Sequence, residues 1–393
     1  MTRPDAPRAP HAMLWALMTG NLVIGTGVML PSGLLTGLMA DFAIPAETAG
    51  LVVLVGAVVV AVGAPVLAWA TTRVDRRRLL VAALAIYALG HLAAALVPGF
   101  VPLLVLRALT VVGAAIFTPQ AAATAGLIVT PQRRAAAIAF IMTGWSLAPV
   151  VGLPLGSLLG DVLGWRAAFA GLAVLSALAA VAVAFTLPRG LRVEPLVLSS
   201  WTRVLRSPAL MCVLGVTLCS LAGQFVPMAY LAPLLQDVFG AGAGELALVF
   251  VLLGITGVIG NQAAGWLVGR WGVGRGVMVS LVLIAAGLVV TAAGFGRFEL
   301  FLLGVCIWGL AAFAVNSLQQ GRLVVLAPAL ASATVALNTS VVYLGQAVGT
   351  GIGGVLIARG GVTAALPLAG AVLLGLALVL SVVAARARAP AQG

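Results

Sequence analysis

Two ionisable residues lie deep inside apolar stretches of the sequence, where they could carry a proton or a fixed charge. His91 stands in "ALGHLAAAL" (88–96) and Arg107 in "LLVLRALTVVGAA" (103–115). An arginine inside a bilayer costs at least about 2.5–3.5 kcal/mol, and histidine has an unperturbed pKa near neutrality. We therefore take His91 as a candidate proton carrier, and Arg107 and Asp41, at the end of the first apolar run, as charged residues that could act with it. The alternatives are an Arg107 that reaches the membrane interface and a His91 that only packs.

The stretch "GWSLAPVVGLPLGSLLG" (144–160) places four glycines and two prolines in the middle of an apolar run. In a helix interior each Pro costs about 3 kcal/mol and each Gly about 1 kcal/mol relative to Ala. Gly152, Gly156 and Gly160 have the four-residue spacing of a face on which another helix can approach closely, and Pro149 and Pro154 bend the helix. We expect a bent, glycine-faced helix whose partner lies in the other half of the chain. It either acts as a gate or only packs tightly.

Catalytic and metal-binding patterns are not found in the sequence. There is no catalytic triad pattern, no HExxH and no Walker motif. The three cysteines, Cys212, Cys219 and Cys306, lack the spacing of metal ligands or of a disulfide framework. We therefore expect no enzyme activity, no metal site and no cofactor.

Membrane-spanning helices must position the candidate residues. Of the 393 residues 63% are hydrophobic and only 8% are charged, whereas soluble proteins are about 25% charged. An apolar helix of about 20 residues crosses a bilayer, and the alternation of a membrane β-barrel is absent. The sequence therefore predicts an all-α integral membrane protein. The charges divide the chain into twelve predicted spans: 13–38, 49–70, 79–97, 101–127, 136–160, 167–187, 208–236, 246–267, 277–295, 300–322, 331–357 and 363–384.

All 21 basic residues are arginine, and their distribution predicts the orientation. With twelve crossings and a cytoplasmic N-terminus, 17 arginines fall on the cytoplasmic side, 3 fall outside and Arg107 lies within a helix. This positive-inside bias predicts a multi-pass protein of a bacterial cytoplasmic (inner) membrane with both termini in the cytoplasm. The net charge of +12 is therefore an orientation signal, and we expect no nucleic-acid partner.

The second half of the chain repeats landmarks of the first at an offset of 197 residues. The matched pairs are Gly63 with Gly260, Trp69 with Trp266, Arg73 with Arg270, Arg78 with Arg275, Gly152 with Gly349 and Gly156 with Gly353. Because the offset is half the chain, it predicts two pseudo-symmetric six-helix bundles, 1–187 and 208–393, joined by a cytoplasmic linker, 188–207. Two parallel six-helix repeats are the architecture of major facilitator transporters.

Three motifs resemble signatures of the major facilitator superfamily. The loop "GAPVLAWATTRVDRRRLL" (63–80) is similar to the family's signature between helices 2 and 3, although it lacks the usual glycine between the basic residues. The segment 103–115 resembles the helix 4 signature, and 144–160 resembles the helix 5 signature of antiporters. Along nearly its whole length the chain is similar to bacterial twelve-helix drug:proton antiporters of the sugar-efflux and chloramphenicol-resistance type.

The resemblance implies roles for individual residues. It implies a cytoplasmic latch for the outward-facing state, formed by Asp75, Arg73, Arg76 and Arg77, although the same charges also fit plain positive-inside bias. It ties Arg107 to proton movement or to contacts with helix 1. It implies gating by the glycine-rich helices 5 and 11, through Gly152, Pro154, Gly156, Gly349 and Gly353.

The resemblance also implies that helices 1, 4, 7 and 10 line a substrate cavity. With one aromatic neighbour on helix 5, the candidate substrate contacts are Asn21, Gln120, Trp145, Gln224, Tyr230, Asn316 and Gln320. Gln319 lies beside them and, with Asn316 and Gln320, is a candidate gate residue. Any of these side chains could instead bond a neighbouring helix.

The expected function is secondary active transport by a monomer in the lipid bilayer. Uncharged amides and an aromatic side chain in an apolar cavity suit a small, mostly uncharged amphipathic compound, drug-like or sugar-like. We expect alternating-access export of this compound in exchange for protons. The predicted spans carry no Asp or Glu away from their ends, which leaves an uncoupled facilitator or importer as the alternative. A non-transporting receptor of the same fold is a third hypothesis.

Overall fold

The computed structural model describes residues 10–71, 73–130, 133–192 and 198–386. In these ranges twelve helices are long and apolar enough to cross a membrane, which confirms the predicted all-α fold with twelve spans. Helices satisfy every backbone hydrogen bond within one segment, as a bilayer requires. Numbered in chain order they are α1 Pro10–Phe42, α2 Ala46–Ala70, α3 Arg76–Leu96, α4 Phe100–Ala125, α5 134–163, α6 Trp165–Thr186, α7 Pro208–Met228, α8 Ala243–Trp271, α9 Val273–Ala293, α10 Phe298–Leu326, α11 Ala331–Gly360 and α12 Ala365–Arg386.

Two of the connections between helices are single glycines with positive φ. Gly164 (φ 87°) joins α5 to α6, and Gly272 (φ 77°) joins α8 to α9. Residues with a side chain rarely adopt this backbone conformation, so glycine at these two positions allows consecutive helices to follow each other without a loop.

Helix α5 changes its hydrogen-bonding pattern where the sequence predicts a bend. Between the α-helical segments Arg134–Leu147 and Leu153–Leu163, residues Ala148–Gly152 form a π-helical turn. The amide of Leu153 donates to the carbonyl of Ala148, five residues earlier. Prolines cannot donate the usual helical hydrogen bond, and the wider π turn accommodates Pro149, which lies within it, and Pro154, which follows it. Such turns are frequent at functional sites.

Two predicted spans are interrupted in the structure. The span predicted at 208–236 ends as α7 at Met228, and a separate helix, Leu231–Phe239, follows after a turn at Tyr230. Pro227 lies one residue before the end of α7, and Pro233 lies in the first turn of the following helix, where its missing amide donor removes the helical hydrogen bond to Ala229. Helix α10 likewise consists of two segments that meet at Phe313.

The chain divides into two compact units. The first holds Met1–Leu30 and Val62–Leu196, and the second holds Pro31–Ala61 and Val197–Gly393. In the first unit α3 packs against α4 and α6, and in the second α9 packs against α10 and α12 in the corresponding way. The last part of α1 and the first part of α2 therefore group with the later part of the chain, and the boundaries at 187 and 208 stay a prediction.

Candidate functional site

Arg107 is held by main-chain carbonyls of α1. Its guanidinium donates to Gly27 at 2.8 Å and to Val28 at 3.0 Å, and the side chain is only 4% exposed. From α3, the Tyr87 hydroxyl donates to the carbonyl of Ile24 at 3.0 Å. One short stretch of α1 is thus bonded by side chains of both α3 and α4. This fits the contact with helix 1 that the family resemblance implies for Arg107.

His91 lies in the same part of the first unit. Its Nδ1 is 2.8 Å from the carbonyl oxygen of Tyr87, and its ring packs edge-on against the Tyr87 ring and beside Phe169, with centroids 4.4 Å and 5.7 Å away. The side chain is buried. Within the described part of the chain, Nε2 has no hydrogen-bond partner. The arrangement serves packing and leaves one ring nitrogen without an assigned role.

Asp41 lies elsewhere on α1. It is exposed in the last turn of that helix, 13 residues after Val28, and belongs to the second compact unit. The expected coupling of Asp41 with Arg107 stays a prediction.

The predicted latch is built around Asp75 and Arg76. Asp75 caps α3 by accepting a hydrogen bond from the amide of Arg78 at 3.0 Å, and its other oxygen accepts one from the amide of Gly190. The amide of Arg76 donates to the carbonyl of Leu191 at 2.9 Å. The loop between α2 and α3 is therefore tied to the segment that follows α6. Of the remaining latch candidates, Arg73 is exposed and Arg77 is half-buried.

The Arg76 side chain turns inward to Gln120. Its guanidinium is a hydrogen-bond donor to Oε1 of Gln120 on α4, and Arg76 is 1% exposed while Gln120 is also buried. Gln120, which the sequence places among substrate contacts, thus has its side-chain oxygen engaged by a latch residue. An arginine buried to this degree requires such an acceptor, because an unpaired buried charge is very costly.

Asn21 and Trp145 both lie at the junction of α1 and α5. Nδ2 of Asn21 donates to the carbonyl of Ile141 at 3.2 Å, and its Oδ1 has no hydrogen-bond partner among the described residues. Asn21 is fully buried. The half-buried Trp145 ring lies against Gly25 of α1, where any Cβ would clash with it. These two candidates are therefore brought together on one helix pair.

The glycine face of α5 also packs on α1. A Cβ at Gly152 would overlap the Thr26 side chain, and one at Gly156 would overlap a methyl group of Leu30. The expectation of a partner helix in the other half of the chain is therefore corrected: the face is used within the first half. Small residues are needed here because two helix backbones approach closely.

Helix α11 repeats this arrangement against α7. A Cβ at Gly349 would overlap the main chain of Ala222, and one at Gly353 would approach the carbonyl of Val226. At Gly349 the close contact is with backbone alone, and at Gly353 it includes the Tyr230 ring as well. The α5–α1 and α11–α7 junctions are thus equivalent, as the 197-residue repeat predicts.

Polar side chains form a network between α7, α10 and α11 in the second unit. Thr217 donates to Oδ1 of Asn338 at 2.8 Å, and Nδ2 of Asn338 donates to Oδ1 of Asn316 at 3.1 Å. Gln319 donates to the carbonyl of Val213 at 2.9 Å. Asn338, Thr217 and Gln319 are buried, whereas Asn316 is half-buried.

Sequence reasoning missed Asn338 and Thr217. The available signal was the repeat, since Asn338 lies 197 residues after Ile141, whose carbonyl holds Asn21 at the equivalent junction. Gln320, next to the network on α10, is half-buried.

Gln224 has a separate partner. Trp308 of α10 donates from Nε1 to Oε1 of Gln224 at 3.1 Å, and Nε2 of Gln224 donates to the carbonyl of Ser220 at 3.2 Å. Both ring and amide are buried. The pair joins α7 to α10 with both ends of the amide satisfied.

Tyr230 is a closely packed residue. Its hydroxyl donates to the carbonyl of Thr350 at 3.0 Å, and its ring occupies the space beside Gly50 and Gly354, where a Cβ would clash. Burial, and to a lesser degree the Glu47 carboxylate, raises the pKa of Tyr230. The phenol therefore stays protonated and remains a hydrogen-bond donor.

A metal site is not formed by the residues that the structure describes, because no three His, Cys, Asp or Glu side chains cluster there. The arrangement instead offers neutral hydrogen-bonding groups and the buried guanidinium groups of Arg76 and Arg107. These groups can hold a small solute or fix helix positions.

Comparisons with known proteins extend over nearly the whole chain. Inner membrane transport protein YdhP of Escherichia coli K12 is 31% identical over 376 residues, covering 95% of this chain and 96% of that protein. The uncharacterized MFS-type transporter YtbD of Bacillus subtilis 168 is 30% identical over 354 residues, covering 87% and 88%.

The fold is also found among solved structures. A bacterial homologue of the human lysosomal transporter Spinster, crystallised in an inward-facing and unoccupied conformation, superposes with a TM-score of 0.74 over 98% of both chains at 18% identity. Residues 17–350 match the family model of the Major Facilitator Superfamily. The chain therefore belongs to the Major Facilitator Superfamily and is a membrane transporter with twelve spans.

Proposed function

We propose that the protein exports a small, mostly uncharged amphipathic compound by alternating access, in exchange for protons. The observation that carries this proposal is the π turn of α5, Ala148–Gly152, next to the glycine face packed on α1. A π turn weakens the regular hydrogen-bond ladder at one point, and small residues let two helices move past each other at close range. This is the helix whose sequence resembles the antiporter signature.

The proposed substrate contacts are uncharged. Amide and aromatic groups are supplied on the α1–α5 pair by Asn21 and Trp145, and on α10 by Asn316 and Gln320. The further candidates are Gln120, Gln224 and Tyr230. Among the described residues Oδ1 of Asn21 has no hydrogen-bond partner, and this supports the assignment, because a buried acceptor without a partner is costly unless a ligand uses it. Neutral groups of this kind favour a neutral solute.

Proton coupling is proposed for Arg107, His91 and Asp41. Arg107 is the charged residue bonded to α1, and His91 packs against the same Tyr87 whose hydroxyl also bonds α1. Protonation of a neighbouring group would add positive charge near this guanidinium. It would thereby change the strength of the hydrogen bonds between Arg107 and α1. Asp41, in the last turn of α1, is the acidic candidate of this group.

The proposed setting is a bacterial inner membrane, with a monomer whose termini lie in the cytoplasm. The positive-inside distribution of arginines supports this orientation. In it, Asp75 and Arg76 form a cytoplasmic latch with Arg73 and Arg77. Their hydrogen bonds to Gly190 and Leu191 support a role in coupling the α2–α3 loop to the linker.

Purified protein in liposomes that enclose a pH-sensitive dye tests the proposal. A panel of uncharged antibiotics and sugars is added outside, and both compound flux and proton flux are recorded. We expect one compound class to drive protons across the membrane, and Gly152→Leu to abolish both fluxes because the side chain would overlap Thr26. Gly375→Leu, where an added Cβ meets nothing within 4 Å, is the matched control and stays active.

An uncoupled facilitator or importer is the second candidate function. The observation that favours it is that every Asp and Glu within the twelve spans lies among the first or last three residues of its span. Compound flux without proton movement in the same liposomes would establish this reading. Binding without flux of any compound would instead identify a receptor.

A further inference from the structure

A cavity of about 310 Å³ lies in the second unit where α8 ends and α9 begins. Its polar lining groups are Asn261 of α8 and Ser317 of α10, and its apolar wall includes Val268, Val273 and Leu318. Val268 and Val273 flank the α8–α9 turn, the end of these helices that we propose to be cytoplasmic, and Asn261 lies about three helical turns earlier on α8. None of these residues belongs to the candidate substrate contacts.

The equivalent corner of the first unit is filled by a side chain. Val273 lies 197 residues after Arg76, and Ser317 lies 197 residues after Gln120. In the first unit the long Arg76 side chain is buried and bonded to Gln120. In the second unit the shorter side chains of Val273 and Ser317 stand at the positions of Arg76 and Gln120, and the cavity remains beside them. The cavity is thus the unfilled counterpart of the Arg76 site.

The residues of the second unit that correspond to the surroundings of Arg76 also differ in charge. Gln120, which accepts the Arg76 hydrogen bond, and Asp75, whose carboxylate interacts electrostatically with Arg76, correspond to Ser317 and Gly272. The second corner has therefore lost the groups that hold a cation.

Two arginines lie close in sequence to residues that line the cavity. Arg270 and Arg275 each lie two residues from a lining residue, Val268 or Val273, and both are exposed. The carboxylates of α8 and α10, Glu245 and Glu299, lie in the first turns of those helices, at the opposite end. Charge complementarity therefore favours an anionic ligand with an apolar portion.

We propose that this cavity binds the headgroup of an anionic phospholipid from the cytoplasmic leaflet. Arg270 and Arg275 would pair with the phosphate, and Asn261 and Ser317 would bond the glycerol and ester oxygens. The apolar wall would contact the first acyl carbons. Basic pockets between membrane helices on the cytoplasmic side are suited to such headgroups. The lipid would occupy the corner that Arg76 occupies in the first unit.

The test is the melting temperature of the full-length protein in a neutral detergent, titrated with phosphatidylglycerol, phosphatidylcholine or inorganic phosphate. We expect phosphatidylglycerol to raise the melting temperature and the other two to leave it unchanged. In Gly321→Leu the side chain enters the cavity without a clash, because a Cβ there meets nothing within 4 Å. This variant should need at least tenfold more phosphatidylglycerol for the same shift, whereas Gly375→Leu should respond as the parent does.

A second pair of variants does not depend on filling the cavity. Arg275→Gln should also weaken the response to phosphatidylglycerol, and Arg189→Gln, an exposed arginine after α6, should not. An equal response of Gly321→Leu and the parent would overturn the proposal, as would the lack of any response in the parent. An equal shift with inorganic phosphate would identify a free-anion site instead and would overturn it too. Because detergent micelles have no sidedness, these outcomes do not depend on transport or orientation.

Discussion

The Arg107 guanidinium of α4 donates a 2.8 Å hydrogen bond to the carbonyl oxygen of Gly27 on α1. A second bond to Val28 makes the contact bidentate, and the Tyr87 hydroxyl bonds Ile24 one turn earlier. The buried charge is therefore stabilised by peptide dipoles of a neighbouring helix. Any movement of α1 relative to α4 would have to break or replace these bonds.

Arg107→Lys is expected to reduce transport at least about tenfold while the protein still folds. A lysine keeps the charge, but its single ammonium cannot reproduce the planar two-point contact of a guanidinium. Loss of one charged hydrogen bond costs about 1.5–3 kcal/mol, and about 1.4 kcal/mol already corresponds to a tenfold lower rate. The measurement is the compound flux of Arg107→Lys in liposomes. The control is Arg189→Lys, which makes the same change at an exposed position. Unchanged flux in Arg107→Lys would show that the bidentate contact is dispensable.

The two glycine junctions should respond differently to alanine. At Gly349 an added methyl meets the rigid main chain of Ala222, whereas at Gly156 it meets only the end of the Leu30 side chain. We expect Gly349→Ala to lower the free energy of unfolding by about 1–3 kcal/mol, as over-packing does. Gly156→Ala should be close to neutral, because alanine also favours the helix. Unfolding in SDS measures both variants, and equal losses would contradict the difference between the junctions.

The sequence was sufficient to predict the features that depend on one helix at a time. Composition and charge spacing predicted twelve spans, and Pro149 and Pro154 predicted the distortion that appears as the π turn of Ala148–Gly152. These features follow from hydrophobic length and from backbone chemistry. The break at Tyr230 was missed because the apolar pattern runs on through Pro227.

Features that depend on two helices could not be predicted in the same way. Which residue a side chain meets depends on the rotation and depth of both helices, which hydropathy does not report. Gln120 bonds Arg76, and the α5 glycines pack on α1 rather than on a helix of the other half. Asn338 was overlooked because a single asparagine in an apolar helix carries no signal of its partner.

Arg76 and Gln120 should be energetically coupled. Gln120→Leu leaves a buried guanidinium without this acceptor, and we expect the free energy of unfolding to fall by about 1.5–3 kcal/mol. Arg76→Leu should cost less, since it removes the charge itself, and the double variant should cost less than the sum of the two. A double-mutant cycle in SDS measures the interaction energy, expected at about 0.5–3 kcal/mol for residues in contact. A value near zero would mean that the hydrogen bond does not stabilise the latch.

Asn338 should position Asn316 for the compound. Asn338 is buried and donates to Oδ1 of Asn316 at 3.1 Å, so Asn338→Leu leaves the Asn316 side chain free to turn away. If Asn316 contacts the compound as proposed, loss of an oriented hydrogen bond worth about 1.4 kcal/mol raises KM about tenfold. Thr217→Val is the matched control, because it removes the 2.8 Å bond from Thr217 to Asn338 and keeps the donation to Asn316.

The two variants separate positioning from general stability. Both should lower the free energy of unfolding by about 1–3 kcal/mol, since each leaves a buried polar group without its partner. Only Asn338→Leu should raise KM for the compound identified in liposomes, and Thr217→Val should stay within about twofold of the parent. A KM that rises equally in both would show that the network acts only through helix packing, because the bond that orients Asn316 is intact in Thr217→Val.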